Sequence, residues 1–252
     1  MNDVFGLRVR LLGDLEVVRA DGSLVTPDRW RTAKTMDLLR LLALGNGQVV
    51  RSVSLMDKLW PAVSADRARA SLRTATSHIR RAIGAEHVLR RPDGLLLHGA
   101  WVDTHAFVHG VRRVQQAARE GRASDVVTIA LVTDALYRGD FHAHDDDSEW
   151  ALTERNHLVR SRRAMLTEAA DAALETGQPR EALDFAQSAV TLDRTSEAAH
   201  RALMRAHAEL GEIGSALRVF ESYRAQLADE LGADPSQQTL DLHLQLLRAS
   251  RR

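Results

Sequence analysis

The chain contains no cysteine, so neither disulfides nor thiolate metal sites hold it together. It has no run of roughly 18 apolar residues of the kind that crosses a bilayer. Its first stretch, Met1–Arg10, lacks the pattern of a signal peptide. These absences predict a cytoplasmic protein with no membrane partner. Lysine is almost missing: Lys34 and Lys58 are the only two, and every other basic residue is arginine. Also absent are a G-x-S-x-G elbow, an H-E-x-x-H pair and a phosphate-cradling GxxxxGK[ST] loop. No enzyme is therefore expected, and neither a cofactor nor a metal.

What is present is a charge asymmetry. The 252 residues carry 34 Lys+Arg and 34 Asp+Glu, a formal net charge of zero. Residues 1–100 hold 16 basic against 10 acidic side chains, and residues 101–252 hold 18 against 24. One half thus suits a polyanion and the other does not. The length allows two domains, each with its own core, and the charge divides them at 1–100 and 101–252.

The stretch Ser64–Arg81 (SADRARASLRTATSHIRR) carries the basic half's function. As a helix it places Ala68, Leu72, Ala75, Ile79 and Ile83 on one apolar stripe. Arg67, Ala70, Arg73, Thr74, Ser77, His78 and Arg81 fall on the other side, with no acid after Asp66. A merely solvated helix would interleave Glu or Asp for i,i+4 pairs. A slim cationic face with hydroxyls suits a DNA groove: Arg pairs with guanine or phosphate, and Ser and Thr reach either.

Before that helix lie short β-prone runs, Leu7–Leu12 and Leu15–Arg19 around Gly13-Asp14, which predict a small antiparallel sheet. Thr32–Leu44 reads as a helix stopped by Gly45-Asn46-Gly47, and Ser54–Leu59 as a second helix stopped by Trp60-Pro61. After it, Val88–Arg90 and Leu95–Leu97 flank a turn at Arg91-Pro92-Asp93-Gly94. Sheet, three helices and hairpin is the order of a winged helix-turn-helix whose third helix enters the major groove. Arg90 and Arg91 then lie on the wing. Gly99–Asp103 reads as a linker, so residues 1–100 are expected to bind DNA alone, with less cooperativity than the whole chain.

The acidic half reads as helices throughout: 104–120, 123–138, 149–176, 179–192, 196–210, 213–231 and 236–249, broken at Gly121, Gly177-Gln178-Pro179, Gly211 and Gly232–Pro235. Gly177 and Gly211 are 34 residues apart, as are Ala182-Leu183 and Ala216-Leu217. That is the tetratricopeptide period. Ala170, Ala182 and Ala189 fill small-residue slots in one unit; Met204, Tyr223 and Phe220 stand in the second. His142 to Asp147 (HAHDDD) has the residue types for a metal site but reads as a solvated loop. His200 with His207, and His105 with His109, have ligating spacing but sit among apolar residues, which favours packing. The fold class is mainly α with a small β component: a winged helix-turn-helix followed by an all-α tetratricopeptide-like domain.

Together the halves resemble the Streptomyces antibiotic regulatory protein (SARP) type of transcriptional activator, which joins an OmpR-type winged helix to a bacterial transcriptional activator domain. The matching segments are Leu7–Gly13 (LRVRLLG), Leu55–Pro61 (LMDKLWP), Ser71–Gly84, Trp101–Phe107 (WVDTHAF), Tyr137–Phe141 (YRGDF), Glu149-Trp150 and Glu230–Ser236 (ELGADPS), in family order across nearly the whole chain. The resemblance implies a recognition helix from Arg67 to Arg81. Arg67, Arg69, Arg73, Thr74, Ser77, His78, Arg80 and Arg81 are the candidate DNA contacts there, with Arg90 and Arg91 on the wing. It implies that Trp60, Pro61, Ala62, Val63 and Ser64 face RNA polymerase. It further implies direct-repeat promoter DNA, a homodimer on it, recruitment of RNA polymerase holoenzyme, a nucleoid location and control of a secondary-metabolite gene cluster. Two other readings are a tetratricopeptide-like interaction scaffold and a ligand-sensing repressor.

Overall fold

A computed structural model describes residues 6–142 and 148–250, so the acidic run His144 to Asp147 lies outside the described residues. The chain forms two compact units. The first is drawn from Met1–Phe107 and Leu136–Asn156, the second from Val108–Ala135 and His157–Arg252.

In the first unit β1 (Leu7–Arg10) pairs antiparallel with β2 (Glu16–Val18). α1 (Ala33–Leu44) follows; the Thr32 side chain caps it by accepting from the Thr35 N–H. β3 (Val50–Arg51) leads into α2 (Ser52–Leu59) and α3 (Ala65–Ile83), and β4 (Val88–Arg91) and β5 (Gly94–Leu97) make the hairpin. Leu38, Leu39, Leu42, Leu55, Leu59, Leu72 and Ile79 form the core beneath these helices.

Three features of this unit differ from the expectation. Ala100–Val102, read as linker, is a strand, β6, lying parallel to β1 with Val9 opposite Val102. Three residues are too few to show a period, and only the pairing reveals them. Asp103 beyond it is buried, and its carboxylate accepts the N–H groups of Leu11 and Leu12 at 2.8 and 3.0 Å. Burial raises the Asp103 pKa, opposed by those N–H groups and that of Thr104. Second, β3 pairs with β5, so the hairpin is the outer part of a three-stranded sheet in the order β3-β5-β4. Third, His142 is buried rather than solvated. Its Nε2 lies 2.9 Å from the Asp37 carboxylate and 3.2 Å from the Arg40 guanidinium, while Arg40 donates to Asp37 at 2.9 Å. Phe141 bridges to Leu12 and Gly13 at the end of β1.

The second unit is helical: α4 (Asp103–Arg119, whose first residues belong to the first unit), α5 (Ala123–Asp134), α6 (Glu149–Glu175, likewise shared), α7 (Pro179–Leu192), α8 (Glu197–Glu209), α9 (Ile213–Leu231) and α10 (Gln237–Ala249). α5 stops at Asp134, short of the expected 138. Ala170, Ala182, Ala189 and Met204 are fully buried, and Phe220 and Tyr223 nearly so. The small side chains let antiparallel helices approach closely. The same turn joins three helix pairs: a glycine of positive φ at 121, 177 and 211, followed by an N–H returning to the carbonyl five residues back. His200 stacks on Tyr223 at 4.3 Å and Phe220 on His243 at 3.8 Å, so these imidazoles serve the core.

Candidate nucleic-acid interface

α3 is the organising element. Ala68, Leu72, Ala75, Ile79 and Ile83 are buried, as their spacing predicts. The opposite ridge carries exposed Arg67, Ala70, Arg73, Thr74 and Arg81 with half-buried Ser77 and His78. Two polar ties fix this helix against the wing and the sheet, and a third ties the start of α2 to the wing. Arg80 donates from Nε and Nη2 to the Val88 carbonyl at 3.0 and 2.7 Å, Arg19 donates to the Ala82 carbonyl at 2.7 Å, and the Ser52 N–H meets the Asp93 carbonyl at 2.8 Å. The β5 start needs glycine, because a Cβ on Gly94 would lie 2.1 Å from the Val50 carbonyl oxygen.

The candidate residues therefore divide. Arg67, Arg73, Thr74, Ser77, His78 and Arg81 line one face, and Arg90 and Arg91 stand exposed on β4 beside it. Arg69 is exposed but pairs with Asp66 at 3.0 Å. Arg80 is half-buried and committed to Val88, so it positions the wing rather than facing solvent. Trp60 is half-buried at the end of α2, and Pro61, Ala62, Val63 and Ser64 form an exposed turn ahead of α3.

A trough of about 600 Å³ runs between α3 and the wing, lined among others by Arg51, Arg69, Arg73, Arg80 and Arg90. On the other flank of α3 lies a polar trough of about 400 Å³, between His78 and Arg81 on one side and Arg29 and Arg31 on the other. The sequence reading passed over Arg29, Arg31 and Arg51, which belong to no periodic element; their clustering around Trp30 and Val50 was the available signal. Among the described residues no three His, Cys, Asp or Glu side chains gather as a metal site, and no helix is long and apolar enough to cross a membrane.

With this geometry in place, a family model described as the bacterial transcriptional activator domain matches residues 102–247. The chain belongs to that family. Its relatives agree on the SARP type. It is 26% identical over 249 residues to the regulatory protein AfsR of Streptomyces coelicolor, covering 96% of this chain and 24% of AfsR. It is 27% identical over 256 residues to the regulatory protein DnrI of Streptomyces peucetius, covering 96% and 93%. The chain thus spans about a quarter of the AfsR length but nearly all of DnrI. Among solved structures, Mycobacterium tuberculosis EmbR, in complex with a low affinity phosphopeptide, shares the fold with a TM-score of 0.82 at 23% identity, over 96% of this chain and 65% of that one.

Proposed function

We propose that this family member is a transcriptional activator and not an enzyme. In this reading it binds direct repeats in double-stranded promoter DNA as a homodimer, and recruits RNA polymerase holoenzyme to a secondary-metabolite or other pathway gene cluster. Residues 1–100 supply the DNA-reading surface and residues 101–252 the activator domain; the protein works in the cytoplasm, on the nucleoid. The observation that carries this reading is the outer face of α3, where Arg67, Thr74 and Arg81 stand exposed and Arg73 and Ser77 line the cationic trough beside the wing. Arg73, Thr74 and Ser77 stand mid-face as base readers; Arg67, Arg81, Arg90 and Arg91 hold phosphates. Half-buried Trp60 and the exposed turn Pro61–Ser64, which includes the exposed apolar Val63, are the polymerase-facing surface.

Titration against promoter fragments over a range of salt tests this. With Arg73 counted beside the four phosphate holders, about five neutralised phosphates per protomer give a log–log slope of roughly −4 to −5. A flat response removes the DNA reading and leaves the interaction scaffold. Arg73→Ala should cost about 1–3 kcal/mol at the specific site and less on random DNA, while Arg91→Ala weakens both alike. Equal losses for both variants on both DNAs would mean readers and phosphate holders are misassigned.

A further inference from the structure

We propose that Arg29, Arg31 and Arg81 form a second phosphate clamp, gripping the DNA strand that runs along the flank of α3 remote from the wing. The inference rests on the DNA reading and extends it to residues outside the recognition helix and wing. At 3.6 residues per turn, Arg69, Arg73 and Arg80 of the wing-side trough share one shoulder of the exposed ridge, His78 of the other trough lies on the far shoulder, and Arg81 stands near the crest between them, lining the far trough. A helix of about 10–12 Å diameter seated in a major groove about 12 Å wide has a sugar–phosphate strand along each side. The wing and its trough meet one strand. The other strand requires cations where Arg29, Arg31 and Arg81 stand.

Arg31 gives the independent observation. Its φ is +67°, and the Thr32 N–H reaches across it to the Trp30 carbonyl at 2.7 Å. A three-residue turn of this hand is rare and unfavourable for a residue with a side chain. Buried Trp30 on one side and the Thr32 cap of α1 on the other hold the backbone there. Glycine would satisfy that backbone better, and the Arg31 side chain repays nothing to the fold: it is exposed, and makes no hydrogen bond or ion pair among the described residues. A strained position that displays a free guanidinium points to a ligand. Arg81 is likewise exposed and unpaired. The one acid in the trough, Asp28, is engaged by the Thr26 hydroxyl, which holds its carboxyl below the usual range. Three guanidiniums against one carboxylate leave the trough cationic, and a backbone phosphate diester is the anion that a duplex on α3 presents to it.

The test uses the full chain and random-sequence duplex, so it needs no known operator. Arg31→Gly removes the charge while relieving the backbone. It should lower affinity several-fold at low salt, make the log–log slope shallower by about one, and leave the thermal midpoint unchanged or raised. Arg29→Ala should weaken binding in the same direction. Wild-type affinity and slope in Arg31→Gly, or a midpoint that falls in step with affinity, would overturn the clamp. If the unmodified protein shows no salt-dependent DNA binding, the DNA reading itself fails; if it binds and Arg31→Gly matches it, only the clamp fails.

Discussion

The two units are held together by different physics. The first is closed by contacts between segments far apart in the chain. Asp103 satisfies the N–H groups of residues 91 and 92 positions away, and His142 reaches Asp37 across 105. The helices around α8 in the second are built from neighbours: α7 packs on α8 and α8 on α9, with alanines at the contacts and one turn used repeatedly. Non-local closure makes a unit all-or-none, since each tie loses its partner when a distant segment goes. Nearest-neighbour stacking makes damage local. A fixed interface such as α3 with its wing profits from the first kind, because reading bases needs side chains held within a fraction of an ångström.

The largest expected effect follows from closure. Residues 1–100 lack most of β6, Asp103, Phe107, Tyr137, Phe141 and His142, all buried or paired in the first unit. The sequence read Gly99–Asp103 as a linker and so predicted an autonomous 1–100 fragment; the structure makes that stretch part of the sheet. The fragment should show no cooperative thermal transition and no specific DNA binding, whereas the full chain should show both. A sharp sigmoidal melt for 1–100 would mean the distant ties are ornamental.

Next comes the buried cluster of Asp37, Arg40 and His142. Burial acts to raise the Asp37 pKa, but the His142 hydrogen bond and the Arg40 charge outweigh it and leave the carboxyl below its usual range. A carboxyl lowered by folding stabilises the fold above its unfolded pKa, and that stabilisation is lost as pH falls through the folded value. Asp37→Asn should cost about 3–5 kcal/mol near neutrality, the penalty of breaking a buried pair. The gap between variant and wild type should narrow as pH drops below about 4, the ordinary carboxylate value. Chemical denaturation across pH measures this; a constant gap would show that the Asp37 charge is not what stabilises the cluster.

Asp103 has the opposite sign. Its pKa is raised by burial, so its ionised form is the one the fold disfavours, and its own contribution weakens as pH rises through the folded value. Asp103→Ala strands two buried N–H groups, which costs about 2–3 kcal/mol once the carboxylate's burial penalty is removed with it. Unlike Asp37→Asn, its cost relative to wild type should grow, not shrink, on acidification. Equal pH trends for the two variants would mean that burial and pairing have been assigned to the wrong carboxyls.

How much of this was legible depends on the range of the interactions. The α3 stripe and the wing follow from side chains close together in the chain, and the tetratricopeptide-like pairs from a period that repeats along it, so pattern reports them. β3 and β6 have two and three residues, and exist because β5 and β1 offer them edges. His142 is polar in a polar stretch; only Asp37 and Arg40, a hundred residues earlier, make it a core residue. In the candidate interface the exposed ridge of α3 was readable from its spacing. Arg80's commitment to Val88 was not, because it depends on where the hairpin returns. The left-handed Arg31 leaves no trace in sequence at all.

The smallest effects probe the second unit's independence. Gly177 and Gly211 have φ of +70° and +77°, and an added Cβ would meet nothing within 4 Å at either. Alanine there costs only the left-handed backbone, about 1 kcal/mol each. The two turns are 34 residues apart in the chain, and each is closed by its own N–H to carbonyl bond, from Gln178 to Ala173 and from Glu212 to His207. Neither substitution alters a partner of the other. The double variant should therefore lose the sum of the single losses within about 0.3–0.5 kcal/mol, measured by urea unfolding of the full chain. Asn at either position should cost less than Ala, since its short amide tolerates the left-handed region. A coupling above about 1 kcal/mol would show that strain at one turn reaches the other through the alanine-packed helices. The second unit would then be as cooperative as the first, and the contrast between them would rest on chain distance alone.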